Sequence, residues 1–171
     1  MVKEFHEIRD PIHTFIRLDS DERRVLNSWP FQRLRYIHQL AMTYLVYPGA
    51  THRRFEHSLG VMELASRVYD VITREENLIA EARDLFPEIA NEDKRRYWKR
   101  VLRMAALCHD MGHLPFSHAA ERDLLPSGWD HERLTAEIIR SKEMGAIWNN
   151  MSPPLRDEDI IKLAIGPKKL P

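Results

Sequence analysis

The sequence predicts a mainly helical, all-α fold preceded by a short N-terminal β-hairpin, and three patterns predict it. Apolar residues recur with a helical period over most of the chain, a two-residue alternation opens it, and neither an internal repeat nor a low-complexity linker divides it. Residues 12–18, Ile12-His13-Thr14-Phe15-Ile16-Arg17-Leu18, alternate behind the turn signal Asp10-Pro11 and predict a hairpin whose first arm is 4–9. Asp19 or Ser20 caps a helix over 21–27, and Pro30 suits the first turn of a helix running towards Leu40. From a start near Phe55, Met62, Ala65, Tyr69 and Ile72 form an apolar stripe that Val61 and Val68 widen. Tyr97, Val101, Met104, Ala105 and Cys108 repeat the pattern in a helix that Asn91 or Glu92 begins and Gly112 ends. Asp130 caps a helix carrying Leu134, Ile138 and Ile139, with Gly145 as its stop. Pro153-Pro154 breaks the chain before a last helix near 157–165, and residues 166–171 read as a loop between elements. The expectation is one domain, 1–171, forming the N-terminal part of a longer protein.

Composition narrows the function classes. The 26 Lys and Arg cancel 26 Asp and Glu, so no global field draws the chain to nucleic acid or to an anionic membrane. No apolar run approaches the roughly 20 residues that span a bilayer, and the N-terminus lacks a signal segment. The single cysteine, Cys108, allows no internal disulfide and sits on a core-facing stripe, so a cytoplasmic location is expected and a nucleophilic thiol is not. The basic run Lys94-Arg95-Arg96 with Lys99-Arg100 alternates with acids away from the Tyr97 stripe, which reads as a solvated helix face rather than a nucleic-acid patch.

Nine histidines stand out, six of them central: His52, His57, His109, His113, His118 and His131. The pair His109-Asp110 is ordinary by composition and informative by place, since it closes an apolar helix and Met111-Gly112-His113 follows. Imidazole with carboxylate suits a transition metal. His57 lies in the first turn of an earlier helix on the face of Val61 and Ala65; alone it reads as a core histidine, and beside His109-Asp110 as a third ligand. The approach to it, Pro48-Gly49-Ala50-Thr51-His52-Arg53-Arg54, offers amides and two guanidiniums to an anion, or else a solvated arginine pair. Pro115 can open a short helix holding His118 and Glu121 three residues apart, either a surface ion pair or an imidazole kept protonated as a general acid. His131 begins a helix, where plain capping polarity would also place it.

Several blocks taken together resemble a known family. Asp10-Pro11-Ile12-His13, the run Phe31-Gln32-Arg33-Leu34-Arg35-Tyr36-Ile37, Gln39-Leu40, Tyr47-Pro48-Gly49-Ala50, Arg54-Phe55-Glu56-His57-Ser58-Leu59-Gly60-Val61 and Cys108-His109-Asp110-Met111-Gly112-His113-Leu114-Pro115-Phe116-Ser117-His118 are similar to the HD-domain phosphohydrolases, in their deoxynucleoside triphosphate (dNTP) triphosphohydrolase branch. The resemblance runs in unbroken order from about Ile8 to about Leu134. It implies one divalent metal ion, whether Mn, Mg, Fe, Ni or Zn, held by His57, His109, Asp110 and an Asp beyond the point matching Pro171; Asp157 and Asp159 stand in the wrong context to replace that ligand. It implies phosphate contact by Arg54, a deoxyribose pocket lined by Gln39 and Leu40, reacting phosphates surrounded by His113, His118 and His131, and Glu121 as carboxylate partner of the proton donor. In tetrameric relatives the segment around Gln32 and Arg35 helps bind an activating nucleotide; here Asn27 replaces a guanine-reading Asp and His6 a basic residue, a departure from guanine-specific activation. The implied reaction turns a dNTP and water into deoxynucleoside and inorganic triphosphate, in a homo-oligomer, dimer or tetramer; from the charge balance and hydropathy above, no membrane or nucleic-acid partner is expected. Two other readings stand beside it: an HD hydrolase of another phosphate ester, and a catalytically silent nucleotide-binding or assembly module.

Overall fold

A computed structural model describes residues 5–166; the hairpin's expected start at residue 4 and the closing stretch 167–171 lie outside the described residues. Strands β1 (Phe5–Asp10) and β2 (Thr14–Asp19) pair antiparallel from Phe5 opposite Asp19 to Asp10 opposite Thr14. Oδ1 of Asp10 accepts the amides of Ile12 (2.9 Å) and His13 (2.8 Å) and shapes the turn, so the second strand starts at Thr14 rather than Ile12. Its alternation turns Ile16 and Leu18 into the core.

Helix α1 (Ser20–Asn27) opens with a capping box: Asp19 accepts the Asp21 and Glu22 amides, and Glu22 accepts the Asp19 amide at 3.1 Å. Helix α2 (Trp29–Gln32) carries Pro30 in its first turn but does not reach Leu40. It tightens into a 3₁₀ turn (Arg33–Tyr36), and Ile37 turns extended. There the backbone is claimed by a different partner: Ile37 O accepts the Arg54 amide at 2.9 Å, Gln39 N donates to His52 O at 3.0 Å, and His38 bridges Arg53.

Helices α3 (Arg54–Ile72) and α5 (Glu92–Cys108) form the central pair. They run antiparallel, since His57 meets His109 at one end while the Tyr69 hydroxyl donates to Arg95 O, 3.0 Å, at the other. The buried stripe of α3 is Phe55, Leu59, Met62 and Ser66, rotated from the expected one; Val68 and Ile72 face out, because α3 carries apolar residues around most of its circumference. Val101, Met104, Ala105 and Cys108 pack against it as the α5 pattern predicts. Between the two helices the chain makes a 3₁₀ turn (Glu75–Asn77), helix α4 (Ala80–Leu85) and a second 3₁₀ turn (Pro87–Ala90). The basic face of α5 is ion-paired rather than merely solvated: Lys99 with Asp70, Arg100 with Asp19, and Arg103 with Glu22, which fastens the hairpin to the helix.

Helix α5 ends at Cys108, four residues before Gly112, and α6 (His118–Leu124) starts at His118 rather than Pro115. Phe116 (φ 69°) and Ser117 (φ 56°) precede α6 in the left-handed region, which a helix begun at Pro115 would forbid. Helix α7 (His131–Arg140) has Asp130 as its cap. It stops at Arg140 because Ser141 turns out of the helix and its hydroxyl caps α8 (Lys142–Asn149), so Gly145 lies inside α8 and stops nothing. Helix α9 (Asp157–Ile165) lays Ile160 and Ile161 on the core beside Ile139, Met144 and Trp148. Among the described residues no helix is long and apolar enough to cross a membrane.

Candidate active site

The first turn of α3 and the last turn of α5 meet, and that meeting builds the site. His57 and His109 face each other with ring centroids 5.4 Å apart. Asp110, 6% exposed, lies between them: Oδ1 is 3.3 Å from Nε2 of His109 and Oδ2 is 3.8 Å from Nε2 of His57. One donor atom from each of the three falls within 4.8 Å of the others. Nδ1 of His109 is 2.8 Å from Ala106 O, so its N–H donates to that carbonyl and Nε2 is turned towards Asp110. Burial lowers the pKa of His57 against the pull of Asp110, favouring the neutral, ligating imidazole. Burial pushes the Asp110 carboxyl up, but His109, Arg54 and His113 outweigh it and hold the carboxyl below its usual range. Two imidazoles and an anionic carboxylate fit a divalent transition metal.

Arg54 is not a solvated arginine. It is 3% exposed, its Nη1 donates to Asp110 Oδ2 at 2.5 Å, and its Nη2 donates to the Ser117 hydroxyl and, at 3.4 Å, to Gln39 O. Arg53 acts differently: it caps α3, its amide donating to Glu56 Oε1 at 2.6 Å. The side-chain oxygen of Gln39 is buried without a hydrogen-bond partner, whereas Leu40 beside it is exposed.

A second group adjoins the first through His113. This imidazole, 2% exposed, places Nε2 3.5 Å from Asp110 Oδ1 and Nδ1 3.6 Å from Glu121 Oε1. Burial, then the neighbouring Arg54 and His131, press its pKa down to about 3, so it is neutral. Glu121 Oε1 also lies 2.9 Å from Nδ1 of His118 and 2.9 Å from Nδ1 of His131. The rings of His113 and His131 stack at 3.9 Å and 11°. His131 is thus part of the cluster, beyond any capping role. Gln32 and Arg35 stand apart: Gln32 bonds to Leu26 O (2.7 Å), and Arg35 bonds to Gln32 (2.9 Å) while lying 3.5 Å over the Phe55 ring.

Four further residues position these groups. Both Nη atoms of Arg33 donate to His113 O at 2.7 Å. Thr135, fully buried, donates to His109 O at 3.1 Å and accepts the Gly112 amide at 2.9 Å, tying α7 to the end of α5. A Cβ on Gly112 would meet His131 O at 1.9 Å, so only glycine permits that approach. Ser117 takes its hydrogen bond from Arg54. The i, i+4 spacing of His131 and Thr135 on one helix face was a signal for Thr135; Arg33 and Ser117 had none beyond their neighbourhood in the quoted blocks.

Residues 54–164 match the HD domain family. The chain is 37% identical to the deoxynucleoside triphosphate triphosphohydrolase SAMHD1 of Gallus gallus over 92% of this chain and 25% of that protein. It is 42% identical to an uncharacterized protein of Methanocaldococcus jannaschii over 73% of this chain and 22% of that one. A crystal structure of a hypothetical protein from Aquifex aeolicus superposes with a TM-score of 0.65 at 34% identity, covering 93% of this chain and 36% of that chain. The chain thus spans about a quarter of the length of the curated relatives it matches.

Proposed function

On the premise that this chain belongs to the HD domain family of phosphohydrolases, we propose that it serves a reaction in which a dNTP and water become deoxynucleoside and inorganic triphosphate. One observation carries the reading: His113 links the His57, His109 and Asp110 group to the His118, Glu121 and His131 group across 3.5 and 3.6 Å, so a metal-ligating set and a proton-carrying set adjoin. His57, His109 and Asp110 would hold the ion, which when bound supplies Lewis acidity at a phosphate oxygen. Arg54 balances phosphate charge beside Asp110. His113 and His131 lie against the same phosphates. Glu121 engages Nδ1 of His118, which leaves Nε2 to deliver a proton to the 5′ oxygen as the bond from that oxygen to the α-phosphorus breaks and water oxygen takes its place. The unpartnered Gln39 oxygen fits a sugar hydroxyl, with Leu40 as the apolar wall beside it.

With three protein donors in the metal-ligating set among the described residues, the 171 residues by themselves hold metal weakly and turn over slowly. Asp159 does not extend the set, since its carboxylate accepts the Tyr97 hydroxyl at 2.7 Å. The pair Gln32 and Arg35 belongs to an effector-nucleotide site away from the chemistry, in a homo-oligomer acting in the cytoplasm. Chromatographic separation of products from each dNTP with Mn²⁺ or Mg²⁺, run on catalytically competent protein, tests the reading: triphosphate and deoxynucleoside are expected. Pyrophosphate with a monophosphate would place attack elsewhere and refute it, and no release of any product would leave a nucleotide-binding module.

A further inference from the structure

The group beyond Asp110 holds more ligand atoms than a proton transfer needs. His113, His118, Glu121 and His131 each place one donor within 4.8 Å of the others. The three Nδ1 atoms lie 2.9, 2.9 and 3.6 Å from a single oxygen, Oε1 of Glu121. A tetrahedral ion with bonds of about 2.0–2.1 Å keeps its ligands about 3.3 Å apart, and the three spacings straddle that edge. Nδ1 of His113 and Nδ1 of His131 are buried without a hydrogen-bond partner, although His131 Nδ1 is near enough to Glu121 for one. Buried polar atoms are ordinarily bonded, so two such nitrogens aimed at one carboxylate oxygen point to a ligand. The frame is also fixed, by ring stacking of His113 on His131 and by the close approach of Gly112 to α7.

We infer that these four residues form a second metal site, for an ion of the Zn²⁺ class, whose occupation opposes catalysis. Three imidazole nitrogens and one carboxylate oxygen are the donors such an ion prefers, in contrast to the oxygen-rich shells of Mg²⁺ and Ca²⁺. The ion replaces the proton that Nδ1 of His118 donates to Glu121, releasing that proton to solvent and locking both residues. The inhibition, though not the site, rests on reading His118 and Glu121 as the proton-carrying pair.

Co²⁺ is the probe, because four-coordinate Co²⁺ has strong visible absorption. In a His109→Ala or His57→Ala background, which disables the first group, one equivalent of Co²⁺ should bind with tetrahedral bands and be displaced by Zn²⁺. Adding His118→Ala or Glu121→Gln should abolish the bands and weaken Co²⁺ by more than the roughly 10–100-fold that losing an outer-shell partner costs. The His118 side chain is 69% exposed, so its truncation spares the core, and a thermal melt verifies folding. Absence of tetrahedral Co²⁺ in both backgrounds, or bands that survive both second substitutions, overturns the site. In catalytically competent protein, Zn²⁺ beyond the first equivalent should slow triphosphate release in step with the filling of this site. A filled site with unchanged turnover overturns the inhibition and, separately, the role given to His118.

Discussion

Replacing Gly112 by alanine tests whether one close approach holds the two halves of the site together. The new methyl would sit 1.9 Å from His131 O, 2.5 Å from the Thr135 amide nitrogen and 2.7 Å from the Thr135 hydroxyl. Two of these are backbone atoms of α7 and cannot swing aside, so the helix start must move out by more than 1 Å. Overpacking of this kind costs about 1–3 kcal/mol. The Gly112 amide bond to Thr135, 2.9 Å long, goes with it at about 1 kcal/mol more. A loss of about 2–4 kcal/mol lowers Tm by roughly 4–16 °C in a chain of this size. Gly145→Ala is the matched control: nothing lies within 4 Å of its added Cβ and it sits inside α8, so it should gain about 0.5–1 kcal/mol. Thermal melts followed by circular dichroism compare the two. A Gly112→Ala protein melting within about 2 °C of wild type would mean that α7 does not press on the end of α5 as described.

Other perturbations separate the roles of individual groups. In catalytically competent protein, His118→Ala should lower kcat about 10²–10⁴-fold with KM little changed, and Glu121→Gln should do the same more mildly; a raised KM with unchanged kcat would make His118 a binding residue. His113 has a folded-state pKa of about 3 against 6.5 in the unfolded chain, so between those values only the unfolded chain takes up its proton. Stability should therefore fall as pH drops below about 6.5, by up to about 1.4 kcal/mol per unit, in urea titrations at a series of pH values; His113→Asn should flatten the slope, and an unchanged slope would refute the assignment. Arg33→Lys cannot keep both hydrogen bonds to His113 O and should lose about 1–2 kcal/mol by urea unfolding, where a loss under about 0.3 kcal/mol would show that the fork adds nothing.

Local rules carried the sequence a long way where one rule acted alone. Asp19, Asn91 and Asp130 are caps by residue type, and all three cap helices here. Misreadings came where two rules competed. Gly145 looked like a stop, yet Ser141 supplied a cap four residues earlier. The α2 pattern ran on towards Leu40, yet a short ladder with residues 52–54 took that backbone. Nothing local encodes a partner 13 residues or more away. In the site, spacing alone set His118 beside Glu121, and helix ends brought His57 towards His109 and Asp110. That one carboxylate oxygen lies within 3.6 Å of three histidines, and that Arg33 grips a carbonyl 80 residues on, depends on how α6 and α7 fold back, which periodicity does not record.

The antiparallel pairing of α3 and α5 separates chemistry from connection. His57, His109 and Asp110 occupy one end of the pair, while the stretch from 73 to 91 joins the helices at the other. At 1.5 Å per residue, the 19 residues of α3 put about 28 Å between them. Lengthening that stretch costs only slowly growing loop entropy and reaches none of the residues around Asp110. It is accordingly the natural place to splice in a fluorescent reporter or an affinity handle.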